Sequence, residues 1–339
     1  MNNKLIAAIA AAIVGMVLAV VIVNGMKVDG PGGMKEFQML DSTVENVMLN
    51  WFKSPPPVTD HGWNVDRMIV FVHILMAILL VGWTLYYVAC LFKFNSKANP
   101  KADYHGVRSK LGTTLAEYGV IVVEVVLIAC FAVPLWADVV NEEQIDKIKD
   151  ASSKPDGDGL ELHILAKQFD WNARYAGNDG KFAAQSLEFA NKVDNPFGVD
   201  PKDTEIDDVI ITTARSKDNA IVVPWDRPVA LKITSMDVVH SFKVLPLRVC
   251  KDSIPGLQLP IHFKVNKEYL KDEAGNPAHD EEDEHVYLIT CAQLCGDGHG
   301  YMNGYMKVVS PSKFDAWLKE QSAAEKQKRL AAANQESAN

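Results

Sequence analysis

The chain has 339 residues, of which 48% are hydrophobic and 23% charged, with a formal net charge of −9. Its long apolar runs fall almost entirely in the first 140 residues, whereas residues 138–339 carry 24 basic and 34 acidic side chains, a net of −10. That length suits two domains, and the acidic balance argues against nucleic acid and for a basic partner.

In chain order, Leu5–Val23 is an uncharged stretch of 19 residues after Lys4, long enough to cross a bilayer of about 30 Å. It reads as an anchor or a signal peptide; the apolar run is longer than the core of a typical signal sequence. The following loop, through Arg67, has 4 basic and 6 acidic residues, and its Pro55-Pro56-Pro57 run predicts an extended lead into the next helix. Met68–Phe92 is a second spanning candidate, and a third runs from about Leu115 to Val139. Between them lie Lys93, Lys97, Lys101, Arg108 and Lys110 against the single acid Asp103, the mark of a cytoplasmic loop. The large C-terminal domain then belongs on the opposite side of the membrane.

From Leu160 the pattern changes to short apolar runs broken by turn residues: 160–169, 208–213, 220–223, 229–234, 241–244 and 286–290. Strands of that length and spacing predict a sandwich or barrel. Pro, Gly and Asp dominate between Asn195 and Asp208, which reads as a long surface loop. The five acids Asp280–Glu284 read as a solvated loop tip. After Pro311 the pattern is helical, ending in an Ala/Glu/Lys/Gln-rich tail that is helical or disordered.

The chemistry concentrates in Cys291-Ala-Gln-Leu-Cys295-Gly-Asp-Gly-His299-Gly-Tyr-Met302. Cys90 and Cys130 lie in apolar helical stretches and Cys250 stands alone, so the five cysteines form no disulfide framework; no C-x-x-C-H motif for covalent haem is present. Thiolates and a thioether are soft donors and imidazole suits copper, so this segment favours copper over magnesium or calcium. Structural zinc sites do not use Met, and a mononuclear blue-copper site needs only one Cys. Two bridging thiolates instead hold two copper ions, and such a site needs a second imidazole. His240, at the end of a strand some fifty residues upstream, supplies one. A strained disulfide between Cys291 and Cys295, or a pair of inert thiols, is the structural alternative.

With these residues in hand, the chain resembles subunit II of the haem-copper cytochrome c oxidases over about two thirds of its length. Gln168-Phe-Asp-Trp171, Thr234-Ser-Met-Asp-Val-Val-His-Ser-Phe242, Asp252-Ser-Ile-Pro-Gly256 and Cys291–Met302 occur in the family's order. The resemblance implies N-terminal transmembrane α-helices followed by an all-β cupredoxin-like Greek-key barrel. It implies that His240, Cys291, Cys295, His299 and Met302 are side-chain ligands of the binuclear copper A centre, with Gln293 giving its backbone carbonyl. It further implies electron transfer from cytochrome c to haem in subunit I, oxygen reduction coupled to proton pumping, and partnership with subunit I and the other oxidase subunits. The expected location is the cell inner membrane, multi-pass, with the C-terminal domain on the periplasmic or external side. The expected divisions are a hydrophobic segment 1–25, an external loop 26–67, a transmembrane hairpin 68–140, a copper A domain 141–320 and a tail 321–339.

Two departures qualify this. Gln293 stands where the family commonly carries a Glu that helps hold magnesium at the subunit I boundary, and a neutral amide weakens that expectation. The family's electron-accepting Trp usually follows the Gln directly, whereas here Phe169 does and Trp171 comes two residues later, so either aromatic is a candidate to face the donor. Glu117 lies seventeen residues before Pro134, the spacing of a family glutamate near the mouth of a proton channel, and is the candidate for proton uptake. Glu124, where the family often has Pro, is expected to contact a neighbouring helix. Retention of all five ligand side chains argues against a quinol oxidase relative, and the helices ahead of the barrel argue against a soluble nitrous oxide reductase.

Overall fold

The computed structural model describes residues 44, 46–101, 105, 109–154, 157–271 and 280–337. The expected hydrophobic segment 1–25, and the loop that follows it as far as residue 43, lie outside these residues. The described chain forms two compact units: residues up to Lys53 with Asn64–Ala137, and Ser54–Trp63 with the residues from Asp138 onward.

Among the described residues two helices are long and apolar enough to cross a membrane. The first, α1 (Asp60–Lys93), contains the expected span Met68–Phe92 but starts eight residues earlier. Thr59 Oγ1 accepts from Gly62 N at 3.2 Å, and Asp60 sits in the first turn, where a carboxylate complements the helix dipole. At the other end Asn95 Nδ2 donates to the Phe92 carbonyl at 2.7 Å, satisfying one of the last free acceptors. Leu80, Trp83, Tyr86 and Tyr87 are all exposed, as expected of a helix that turns apolar side chains to lipid on every side.

The third expected span resolves into α2 (Lys110–Leu127), a π-helical turn at Ile128–Ala132, and α3 (Val133–Val139). Ser109 caps α2 by accepting from Gly112 N at 3.1 Å. Pro134 lacks an N–H for the carbonyl one turn back and crowds it with its ring, and the widened turn just ahead absorbs the misfit. Phe131 within that turn is buried and stacks on Phe71 with ring centroids 5.6 Å apart.

The second unit resumes at Asp138 and leads into α4 (Glu142–Ser152), which Asn141 caps through Gln144 N at 3.2 Å and which buries Ile145 and Ile148 against Ala230. Among the described residues ten strands follow: β1 (Leu160–Lys167), β2 (Asp170–Tyr175), β3 (Val209–Ile211), β4 (Ile221–Pro224), β5 (Pro228–Ser235), β6 (His240–Val244), β7 (Val249–Ser253), β8 (Leu259–Lys264), β9 (His285–Cys291) and β10 (Asn303–Val309). They form two five-stranded sheets, β3-β2-β1-β5-β8 and β4-β10-β9-β6-β7. The pairs β1–β5 and β10–β4 are parallel and the rest antiparallel.

Between the sheets lies one core that includes Trp171, Phe242, Phe263, Leu231 and Met306. The Tyr175 hydroxyl, fully buried, ties the sheets together by donating to the Val222 carbonyl at 2.9 Å and accepting from Val222 N at 2.8 Å. Helix α5 (Pro311–Ser337) closes the domain by laying Phe314 and Trp317 on Tyr175, and it runs through residue 320 without a break.

Two stretches read as open loops are more structured. The β2–β3 connection carries its own apolar cluster, with Phe197, Val199 and Ile206 packed on Leu165, so it is a folded insertion and not only a surface loop. Its far end is pinned by an enclosed ion pair: Arg174 Nε donates to Asp208 Oδ2 at 2.5 Å and Arg174 Nη2 to the Ala183 carbonyl at 2.6 Å. The acidic run Asp280–Glu284 is engaged by the start of α5. Glu284 pairs with Lys307 at 2.9 Å and Lys313 at 2.8 Å, and Ser310 Oγ donates to the Glu281 carbonyl at 3.1 Å. Carboxylates beside a helix N-terminus are favourably placed, and here they also meet lysines.

Candidate metal centre

The geometry of the second sheet explains why distant residues converge. Strand β6 pairs with β9 only through Phe242–Val244, with Cys291 opposite Phe242, so His240 and Ser241 overhang the end of β9. Beyond Cys291 the chain loops across that overhang and returns at Asn303 as β10, antiparallel to β9. Residues 291–302 are thus the closure of a hairpin folded against the start of β6. Ala292 N donates to the Ser241 carbonyl at 3.0 Å, which fastens loop to strand.

Cys291 Sγ lies 3.8 Å from Cys295 Sγ and 3.9 Å from His240 Nδ1. Cys295 Sγ lies 3.6 Å from His299 Nδ1 and 3.8 Å from Met302 Sδ. The Gln293 carbonyl is 3.1 Å from Cys291 Sγ. His240, Cys291 and Cys295 each offer one donor atom within 4.8 Å of the others. His240 and Met302 are fully enclosed, Cys295 is buried and Cys291 half-buried. Four donors therefore surround two thiols at ligand spacing, with nitrogen, sulfur and carbonyl oxygen in proportions that fit a pair of soft metal ions. A disulfide would need the sulfurs near 2 Å, about half the distance observed.

A shell of supporting bonds fixes these side chains. His240 Nε2 meets Asp237 Oδ1 at 3.0 Å, which leaves Nδ1 facing the thiols. Asp237 Oδ2 accepts from Gln168 N at 2.9 Å, and Gln168 Nε2 donates to the Cys295 carbonyl at 2.7 Å, so the tip between β1 and β2 braces both halves of the site. Trp171 packs edge-on to His240 and Phe242 at 6.2 and 5.2 Å, and its Nε1 donates to the Met302 carbonyl at 3.4 Å. Gly298 approaches the Phe169 ring so closely that a Cβ would come within 2.4 Å of Cδ2.

The two thiols differ in acidity. Burial pushes Cys291 up, but His240 and backbone hydrogen bonds outweigh it and bring the thiol down to about 6. Cys295 is pushed up to about 12 by burial and by the neighbouring Cys291. Burial opposes a charge on His240, yet its contacts with Cys291 and Asp237 hold its pKa above the ordinary value. Thiols and imidazoles ligate in their deprotonated forms, so metal binding here would release protons.

Of the two aromatic candidates for facing a donor, Trp171 has no exposed surface and belongs to the core beneath the site; Phe169 is the half-exposed one. The Trp sits on β2 with its side chain turned between the sheets, a direction that the spacing from Gln168 does not reveal. Gln293 presents an exposed neutral amide. Glu117 and Glu124 are both exposed on α2, and neither makes a hydrogen bond or ion pair with a described residue. Sequence reasoning passed over Asp237 and Gln168 as supporting residues, although both lie in the quoted motifs.

Fold and site together define a two-sheet cupredoxin-like domain, preceded in the chain by two helices long and apolar enough to cross a membrane, with a two-Cys, two-His, one-Met donor set at one end. The family described as cytochrome C oxidase subunit II, periplasmic domain, matches residues 164–271, a stretch that includes His240 and ends before Cys291. The alternative cytochrome c oxidase subunit 2 of Bradyrhizobium diazoefficiens is 24% identical over 286 residues, covering 83% of this chain and 88% of the relative. The cytochrome c oxidase subunit 2 of Cereibacter sphaeroides is 24% identical, over 74% of this chain and 73% of the relative. Among solved structures, the periplasmic domain of subunit II of cytochrome oxidase of Bradyrhizobium japonicum aligns with a TM-score of 0.32 at 20% identity, covering 49% of this chain and 94% of that domain. The family model and these relatives support a cytochrome c oxidase subunit II assignment for this chain.

Proposed function

We propose that the chain is the electron-accepting subunit of a proton-pumping cytochrome c oxidase, taking electrons one at a time from cytochrome c and passing them to haem in subunit I. The observation that carries this reading is the convergence of His240, Cys291, Gln293, Cys295, His299 and Met302 at one end of the β-domain. Two copper ions held by these residues would supply a one-electron store.

The chain's own residues do the rest. Asp237 holds the His240 ring, Gln168 braces the Cys295 backbone, and Trp171 and Phe242 exclude water from the inner side. Such packing keeps the ligands from relaxing when charge arrives, which is what rapid transfer requires. Half-exposed Phe169, in contact with the ligand loop, is the aromatic placed to face a donor. The helices α1 and α2 anchor the domain in the inner membrane with the β-domain on the periplasmic face. The neutral amide of Gln293 gives no carboxylate for magnesium, so that ion is not part of this reading.

Metal analysis of the full chain purified in detergent tests the proposal. Two coppers per chain with a mixed-valence paramagnetic spectrum are expected, and Cys291→Ser or Cys295→Ser should abolish donor oxidation. One copper, or zinc, would overturn the reading.

A further inference from the structure

We propose that Lys192, carried by the β2–β3 insertion, is a positioning residue for the His240 side of the metal centre and favours acceptance of an electron there; the inference rests on the copper reading above. Asp237 is the pivot. Its Oδ1 accepts from Val238 N at 2.8 Å and meets His240 Nε2 at 3.0 Å, while its Oδ2 accepts from Gln168 N at 2.9 Å and faces Lys192 Nζ at 3.6 Å. The carboxylate is 13% exposed and the lysine 61%, so the ammonium closes the outer side of an otherwise enclosed group.

The backbone that carries Lys192 is held in place. The Lys192 carbonyl accepts from the Nζ of Lys167, a buried β1 lysine next in sequence to Gln168. The turn that presents it is shaped by Asn191 Oδ1, which accepts from Val193 N at 3.0 Å and Asp194 N at 2.7 Å. The insertion behind it is held by the enclosed Arg174–Asp208 pair and the Phe197, Val199 and Ile206 cluster. The backbone of a lysine from an element outside the two sheets is thereby anchored beside the carboxylate that orients a ligand.

The direction of the effect follows from charge. Accepting one electron makes the centre more negative by one unit; the Asp237 carboxylate opposes that and the Lys192 ammonium offsets it. Exposed pairs of this kind are modest, so removing the ammonium should lower the equilibrium constant for one-electron reduction about two- to five-fold.

The test is a redox titration of the copper centre in the intact oxidase, followed by its paramagnetic spectrum, for Lys192→Gln, Lys192→Glu and Lys192→Arg. The inference expects Lys192→Gln to lower the potential by that fold-change, Lys192→Glu to lower it further and Lys192→Arg to keep the parental value. A copper-loaded site whose potential is the same in Lys192→Gln and Lys192→Glu overturns this inference alone, as does Lys192→Arg falling with Lys192→Gln. A parental oxidase lacking the copper pair in this subunit overturns the copper reading and this inference with it.

Discussion

Replacing Gly298 by Ala isolates how the ligand loop is held. Gly298 has φ −88° and ψ 5°, a conformation alanine adopts freely, so any effect is steric. The new methyl would lie 2.4 Å from Phe169 Cδ2 and 2.5 Å from Cγ, more than 1 Å inside the separation of about 3.5–4.0 Å at which carbon atoms rest. Rotating the ring does not relieve this, because Cγ lies on the rotation axis. Nor does the Phe169 backbone yield easily, since Arg215 donates to its carbonyl and Gln168 is bonded to Asp237 and the Cys295 carbonyl. Either the ring leaves its place or the loop carrying His299 shifts. Overpacking of this kind costs about 1–3 kcal/mol. At roughly 2–4 °C per kcal/mol for a domain of this size, the thermal midpoint should fall by about 2–12 °C. The copper spectrum should broaden as well. Phe169→Ala opens the space, so Gly298→Ala should cost little in that background, a coupling of about 0.5–3 kcal/mol. An unchanged midpoint and spectrum in Gly298→Ala, or an equal cost in both backgrounds, would refute the reasoning.

Three further outcomes are expected. Asp208→Ala leaves the enclosed Arg174 guanidinium without its counter-charge and should cost about 3–5 kcal/mol, read as a lower denaturant midpoint, whereas Arg174→Met with Asp208→Leu should cost far less. Burial holds His163 below the ordinary histidine pKa despite its bond to Glu161, so the unfolded chain takes up a proton first as the pH falls below about 6.5 and the native state loses stability there. His163→Gln should flatten that decline in denaturation curves between about pH 7 and 5, and an unaltered slope contradicts the assignment. Glu117→Ala, if that carboxylate admits protons, should slow turnover and lower the number of protons pumped per electron; parental values for both would remove Glu117 from the proton path.

How much was legible in the sequence depended on whether local chemistry matched the final environment. The runs at 160–169, 229–234 and 286–290 hold apolar side chains at strand spacing and are strands, and the ligand segment announced itself by its donors. Strand β2 is not among the runs read from the sequence: Asn172 and Arg174 interrupt its apolar side chains, yet both are fully buried and bonded to the Leu165 carbonyl and to Asp208. Those partners lie 7 and 34 residues away, and the second is invisible to any local pattern. Strand β8 carries Pro260 and His262, which break an apolar run, and β10 begins with Asn303 and Gly304, which look like a continuation of the loop. Helix α4 buries only two isoleucines, too few to show periodicity. Trp171 was ambiguous for a related reason: spacing places it near the site, but only the packing of the two sheets decides which way it points.

The overhang of β6 past β9 also sets the order of maturation. His240 and Cys291 are 51 residues apart in the chain and meet only when β6 has paired with β9. The His240 imidazole is made well before the hairpin's donors but stands apart from them until the strands pair, so the complete donor set exists only on a folded domain. On the copper reading proposed above, a full set of ligands would be on offer only after the sheet has closed.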